Sequence, residues 1–137
     1  MNAFVLDCSV AMAWCFEDEA RPETDQLLDR VRDDGAIVPA LWFWEVANVL
    51  GVALRRRRIS EGDAAARLDL LSAMPVTVDE AGVARAWRET RMLALAQRLT
   101  VYDAAYLELA SRRGADLAST DADLWAAAHR IGVPVIP

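Results

Sequence analysis

Lysine is absent from this 137-residue chain, and all fifteen basic residues are arginines. That removes every mechanism needing a lysine amine: the phosphate-binding loop of nucleotide hydrolases, Schiff-base chemistry, and lysine-assisted phosphoryl transfer to an aspartate. Histidine is almost as scarce. The single one, His129, has no serine or cysteine nucleophile near it in sequence and reads as a surface residue of the last helix. Two cysteines, Cys8 and Cys15, fit neither a disulfide framework nor a four-ligand zinc site, and read as buried thiols. No apolar run approaches the roughly 20 residues that span a bilayer; the longest, Leu41 to Leu54, is interrupted by Glu45 and Asn48. The first residues lack the charged start of a secretion signal, and Phe4 to Leu6 is too short for its apolar region. The expectation is a cytoplasmic protein with no membrane association.

What is present is a globular composition, 55% apolar and 26% charged, of a size for one domain over residues 1–137. Short apolar runs alternate with helical stretches throughout. Strands are predicted at Ala3–Leu6, Ala36–Val38, Val76–Val78, Asp116–Ser119 and Val133–Ile136. Helices are predicted from a Ser9 cap to Phe16, then over Arg21–Arg32, Leu41–Arg57, Ile59–Met74, Glu80–Gln97, Val101–Arg113 and Ala122–Ile131. Apolar strands separated by helices imply an α/β protein, a three-layer α/β/α domain whose central parallel sheet is flanked by helices. Ligands of such sheets bind outside the carboxyl ends of the strands, where Asp7 and Asp121 fall.

Four acidic residues stand out, each with a duller reading beside it. Glu45 sits in a helix that is apolar nearly all round, which implies burial, and a buried carboxylate needs a partner; the alternative is a narrow exposed stripe. Asn48, three residues on, shares its face. Asp7 and Asp121 each precede a helix and could simply cap it. Thr100 and Asp103 resemble a capping box with Asp in place of Glu. Gathered at one end of a sheet, these carboxylates would repel one another, and no arginine adjoins them within their motifs. A hard divalent cation resolves the repulsion, and all-oxygen ligation favours Mg²⁺ or Mn²⁺ over zinc. A metal pair of that kind performs phosphodiester hydrolysis without a catalytic histidine.

The order and context of these residues resemble the PIN-domain nucleases. The carrying motifs are Asp7-Cys8-Ser9 after the first strand, Glu45-Val-Ala-Asn48 in an apolar helix, Thr100-Val-Tyr-Asp103-Ala-Ala-Tyr106 opening a late helix, and Ser119-Thr120-Asp121-Ala-Asp123 after the fourth strand. Each is weak alone; four in order, from residue 4 to residue 136, are specific. In size the chain resembles the VapC toxins of bacterial toxin–antitoxin pairs. The resemblance implies an endoribonuclease with Asp7, Glu45, Asp103 and Asp121 as catalytic, metal-site carboxylates and Asp123 as a fifth ligand. Ser9, Asn48 and Thr120 would orient carboxylates or waters. It further implies an RNA substrate, a cognate antitoxin and a homodimer.

Remaining features are less directed. Arg55 to Arg58 form a basic run at a helix end, read either as a solvated terminus or as an RNA phosphate contact; Arg98, Arg112 and Arg113 are further candidates. Trp42 and Trp44 lie two apart and cannot share a helix face, so one is expected to be exposed at an interface, where an antitoxin would bury it. Two rivals remain. A phosphoacceptor receiver domain lacks its lysine here, and a non-catalytic PIN-like binding module has no use for intact carboxylates.

Overall fold

The computed structural model describes residues 3–137. Five strands form one wholly parallel sheet: β1 (Phe4–Leu6), β2 (Ala36–Pro39), β3 (Val76–Asp79), β4 (Leu117–Ala118) and β5 (Val135–Ile136), in the spatial order β3-β2-β1-β4-β5. All five lie where the apolar runs place them, with ends shifted by a residue or two. The chain steps outward from β1 to β3, then returns to the other side of β1 for β4 and β5. The strand order therefore reverses between β1 and β4, and in sheets of this kind the crevice at that reversal is the ligand site.

Helices flank the sheet: α1 (Cys8–Cys15), α2 (Pro22–Asp34), α3 (Leu41–Arg55), α4 (Glu61–Ser72), α5 (Gly82–Arg85), α6 (Arg91–Gln97), α7 (Val101–Arg113) and α8 (Ala122–Arg130). Helix α7 packs against β1, β2 and β4 and against α6 and α8. Its centre is the most deeply buried part of any helix, with Tyr106, Leu107, Leu109 and Ala110 closed off from solvent. Both cysteines are buried free thiols, as expected, and His129 is exposed. No helix among the described residues is long and apolar enough to cross a membrane.

Several boundaries differ from the sequence reading, each for a local reason. Helix α1 starts at Cys8, so Asp7 and not Ser9 holds the N-cap position; the Ser9 hydroxyl is committed elsewhere, to the Asp7 carboxylate and the Thr120 amide. The segment expected as one helix over Glu80–Gln97 is broken, with a π-helical turn at Ala86–Thr90 between α5 and α6. Helix α2 runs on to Asp34, where Gly35 at φ 81° lets the chain turn. Helix α3 ends at Arg55, since Arg57 takes a left-handed conformation, and α4 is shortened at its start by a Ser60 cap on the Asp63 amide. Nor is α3 buried all round: Phe43 and Trp44 are exposed while Trp42, Val46 and Leu50 enter the core.

A buried ion network fastens β3 to α7. Arg112 donates to both oxygens of Asp79, at 3.1 and 2.6 Å, and to both oxygens of Glu108, at 3.1 and 2.9 Å. Arg85 from α5 adds a bond to Glu108 at 3.1 Å. The Arg112 guanidinium holds Asp79 below the usual carboxylate range. Gly82 leaves room for this, because a Cβ there would stand 2.9 Å from Asp79 Oδ2. Arg112 is therefore structural, which removes it from the phosphate-contact candidates. Arg112→Ala would leave buried Asp79 with only Arg113 at 3.9 Å and Glu108 with only Arg85, and urea denaturation should show a loss of roughly 3 kcal/mol. A loss below about 1 kcal/mol would mean that water already solvates the pair.

Candidate active site

The site begins where β1 ends. Parallel pairing carries the Asp7 amide onto the Ala118 carbonyl (2.9 Å), so β1 and β4 deliver Asp7 and Ser119 side by side at the strand-order reversal. Asp7 is 5% exposed and Ser119 fully buried. Ser119 Oγ donates to Asp7 Oδ2 at 2.8 Å and accepts from the Asp121 amide at 3.0 Å. Ser9 Oγ donates to the same Oδ2 at 2.7 Å and accepts from the Thr120 amide at 2.9 Å. Two hydroxyls thus tie the β1 end to the β4 end and fix one oxygen of Asp7. Among the described residues, Asp7 Oδ1 receives no side-chain hydrogen bond. Asp7 occupies the cap position of α1 without capping it through its side chain.

Asp121 does cap its helix, Oδ1 accepting from the Leu124 amide at 3.0 Å. Capping does not exclude ligation, because it leaves the second oxygen available. Asp103 receives its cap from Thr100, whose Oγ1 accepts the Asp103 amide at 3.1 Å. That is half of the expected box, and the Asp103 carboxylate stays out of it. Glu45, half-buried on α3, accepts a short hydrogen bond from the phenol of Tyr106, a fully buried side chain on α7.

Electrostatics bring these groups together. Burial raises the Asp7 carboxyl above its ordinary range against its serine bonds, and Asp121 raises it further. Glu45 is raised chiefly by burial and also by Asp7 and Asp103, against the lowering effect of the Tyr106 bond. Asp103 is pushed up to about 6, first by burial and then by Asp121, Asp7 and Asp123. Each of the five carboxylates feels, or is felt by, another member. No arginine forms an ion pair with any of them among the described residues.

The donor chemistry fits a hard divalent cation: carboxylate and hydroxyl oxygens, with nearby Cys8 held protonated by burial and by the Glu45 and Asp7 charges. Among the described residues no three acidic, cysteine or histidine side chains close into a ready chelating group.

Known proteins point the same way. The sequence profile of the PIN domain family matches residues 4–130. The chain belongs to the PIN-domain family. PIN domains are generally metal-dependent nucleases. This PIN domain is similar in structure to PAE2754 from Pyrobaculum aerophilum, known from its crystal structure. The TM-score is 0.69 at 25% identity, covering 91% of this chain and 85% of that one. No curated protein sequence matches.

Other sequence candidates fall as follows. Asp123 is exposed beside Asp103. Asn48 is exposed and, among the described residues, forms no side-chain hydrogen bond; Thr120 contributes through its backbone amide. The arginine run begins ten residues beyond Glu45, about 15 Å along α3. There Arg58 is engaged by Asp18 (2.7 Å) and Glu19 (2.9 Å) and lies 3.8 Å over the Phe16 ring. Ser119 and Tyr106 went unassigned in the sequence although both lie inside quoted motifs. A serine closing an apolar strand, and a phenol one turn after Asp103, are buried polar groups that must find partners.

Raised carboxyls make a signed prediction. A carboxyl whose folded pKa exceeds its unfolded value binds the proton more tightly when folded. Its stabilising contribution is full below about pH 4 and is lost as pH rises through the folded value. In chelator, Asp7→Asn should therefore match wild type in melting temperature near pH 4 and exceed it by a few degrees at pH 7, a gap that widens with pH. An Asn variant that melts below wild type at pH 7 would show that the Asp7 charge is neutralised within the fold.

Proposed function

We propose that this PIN domain is a Mg²⁺- or Mn²⁺-dependent endoribonuclease that acts as the toxin of a toxin–antitoxin pair. The carrying observation is a set of carboxylates that raise one another's pKa values, one of them almost wholly buried, with no arginine paired to them among the described residues. Such an arrangement costs folding energy and is explained by a cation that arrives from solution. Asp7, Glu45, Asp103 and Asp121 would hold it, with Asp123 at the outer side. The metal would supply Lewis-acid chemistry, making a water more acidic and offsetting charge that develops on the phosphate.

The protein's own groups do the positioning. Ser9 and Ser119 hold Asp7 in one orientation, and the Ser119 bond to the Asp121 amide sets the start of α8 against it. Tyr106 orients Glu45 across the site from α7, the helix that also carries Asp103. Four segments distant in sequence thus contribute oxygens from rigid elements, which in-line displacement at phosphorus requires.

Support for partners comes from an apolar surface. Val83 and Tyr102 are exposed at a cavity of about 210 Å³ that is also lined by Leu41 and Val101; Trp87, next in sequence to the lining residue Ala86, and Trp44, in the first turn of α3, are exposed as well. Apolar surface of this kind is suited to a second copy or to an antitoxin segment that folds on binding. Trp42 drops out as a contact, being 3% exposed and part of the core.

Purified protein should cleave RNA with Mg²⁺ or Mn²⁺ and stop in EDTA, and Asp7→Asn should lose at least 100-fold in rate, on the order expected for a group organising the reacting oxygens. Undiminished cleavage in excess EDTA would contradict the mechanism. Expression in the native host should arrest growth, relieved by co-expressing the small neighbouring gene, and sedimentation should give a dimer. A harmless monomer would remove the toxin assignment and leave the nuclease intact.

A further inference from the structure

The acidic centre is a poor landing place for RNA, since the chain carries a net charge of −6 and the site itself is anionic. A polyanion reaching it needs cations close by, on the same face. Beside the centre lies an open groove of about 490 Å³, lined by Gln97, Arg98 and Leu99 at the end of α6 and by Asp123 and Arg130 of α8. Asp123, a wall of this groove, lies two residues after Asp121, and Leu99 adjoins Thr100, which caps α7 ahead of Asp103, so the groove borders the segments that carry two of the site carboxylates.

Neither of its two arginines is paired with a carboxylate among the described residues. Arg130 is held at the groove by Gln97, its Nε donating to Gln97 Oε1 at 2.7 Å and Nη2 to the Gln97 carbonyl at 3.2 Å. Among the described residues, Nη1 has no partner. A guanidinium anchored through uncharged acceptors keeps its full positive charge for a ligand, unlike Arg112 and Arg58, which are matched by carboxylates. Arg98 closes α6 in a left-handed conformation at φ 57°, secured by the Leu99 amide on the Ala94 carbonyl at 2.9 Å. It is exposed and, among the described residues, forms no ion pair.

We propose that the Arg98–Arg130 groove is the phosphate-binding subsite that holds single-stranded RNA next to the carboxylate centre. This rests on the ribonuclease reading above. Two guanidinium groups would take backbone phosphates flanking the scissile one, contributing affinity and register without base specificity. The Arg55–Arg58 run, at the far end of α3, is not the principal RNA contact.

The test is fluorescence anisotropy with a short fluorescein-labelled single-stranded RNA, in Mg²⁺, across 50–200 mM KCl, on the Asp7→Asn background so that the probe survives. Arg98→Ala with Arg130→Gln should weaken binding roughly tenfold and flatten the slope of log K against log salt by about 1.4, two contacts at about 0.7 each for a single strand. Arg98→Glu alone, at an exposed position, should weaken it with the fold unchanged by circular dichroism, which covers any instability of the double variant. Binding that keeps its affinity and slope in both variants, or is lost instead in Arg55→Ala with Arg56→Ala, overturns the subsite and leaves the ribonuclease reading standing. Failure of the parent protein to bind any RNA, together with no cleavage by wild type, overturns both.

Discussion

A carboxylate at the centre of a parallel sheet, held by two serine hydroxyls and, among the described residues, paired with no arginine, is the constraint around which this molecule is organised. Asp7 is buried because β1 is the middle strand, and it is at the rim because β1 ends there. Neutral hydroxyl donors satisfy its lone pairs without cancelling its charge. The same two serines bind the amides of Thr120 and Asp121, so the path of the chain after β4 is written into the way Asp7 is held. Removing the negative charge relieves a repulsion; removing the serines would separate the two halves of the site.

The contrast within one sheet is informative. At the end of β3, Asp79 is as buried as Asp7, but Arg112 meets it with two bonds, and Glu108 shares the same guanidinium. There the fold neutralises its acids, and the result is a clamp between β3 and α7. At the β1–β4 reversal it assembles acids from β1, α3, α7 and α8 and supplies no arginine. Asp79 and Asp7 share burial and differ in counter-charge: among the described residues an arginine meets the first and none meets the second. Helix α7 links the two regions, with Asp103 and Tyr106 toward the acidic centre and Glu108 and Arg112 in the clamp.

Much of this was legible in the chain itself. Apolar strands of three or four residues between amphipathic stretches leave few arrangements other than a covered parallel sheet, and the acids at strand ends then have one address. Reading Asp7 or Asp121 as either cap or ligand proved a false choice: Asp121 caps with one oxygen and keeps the other, and Asp7 sits in the cap position without using it. Less legible was anything that depends on which hydroxyl meets which carboxylate. Ser9 was expected both to cap a helix and to orient a carboxylate; its hydroxyl goes to Asp7, and Asp7 takes the cap position. Ser119 and Tyr106 gain their partners only when elements far apart in sequence are packed together. The π-helical turn at Ala86–Thr90 left no periodic trace, because a single wide turn shifts the apolar phase without interrupting it. Trp42 and Trp44 separated as their spacing requires, one into the core and one to solvent, but which went where depended on the direction α3 presents to β2.

Burial and mutual charge raise the Asp7, Glu45 and Asp103 carboxyls above the ordinary carboxylate range, so a cation that binds them would displace protons. Calorimetric titration of the metal-free protein with Mn²⁺ at pH 6, in two buffers of different ionisation heat, reads this directly. Binding should occur, should release protons at pH 6 and fewer at pH 8, and should vanish or weaken at least tenfold in Asp7→Asn. Binding with no proton release at either pH, or unaffected by that substitution, would contradict it.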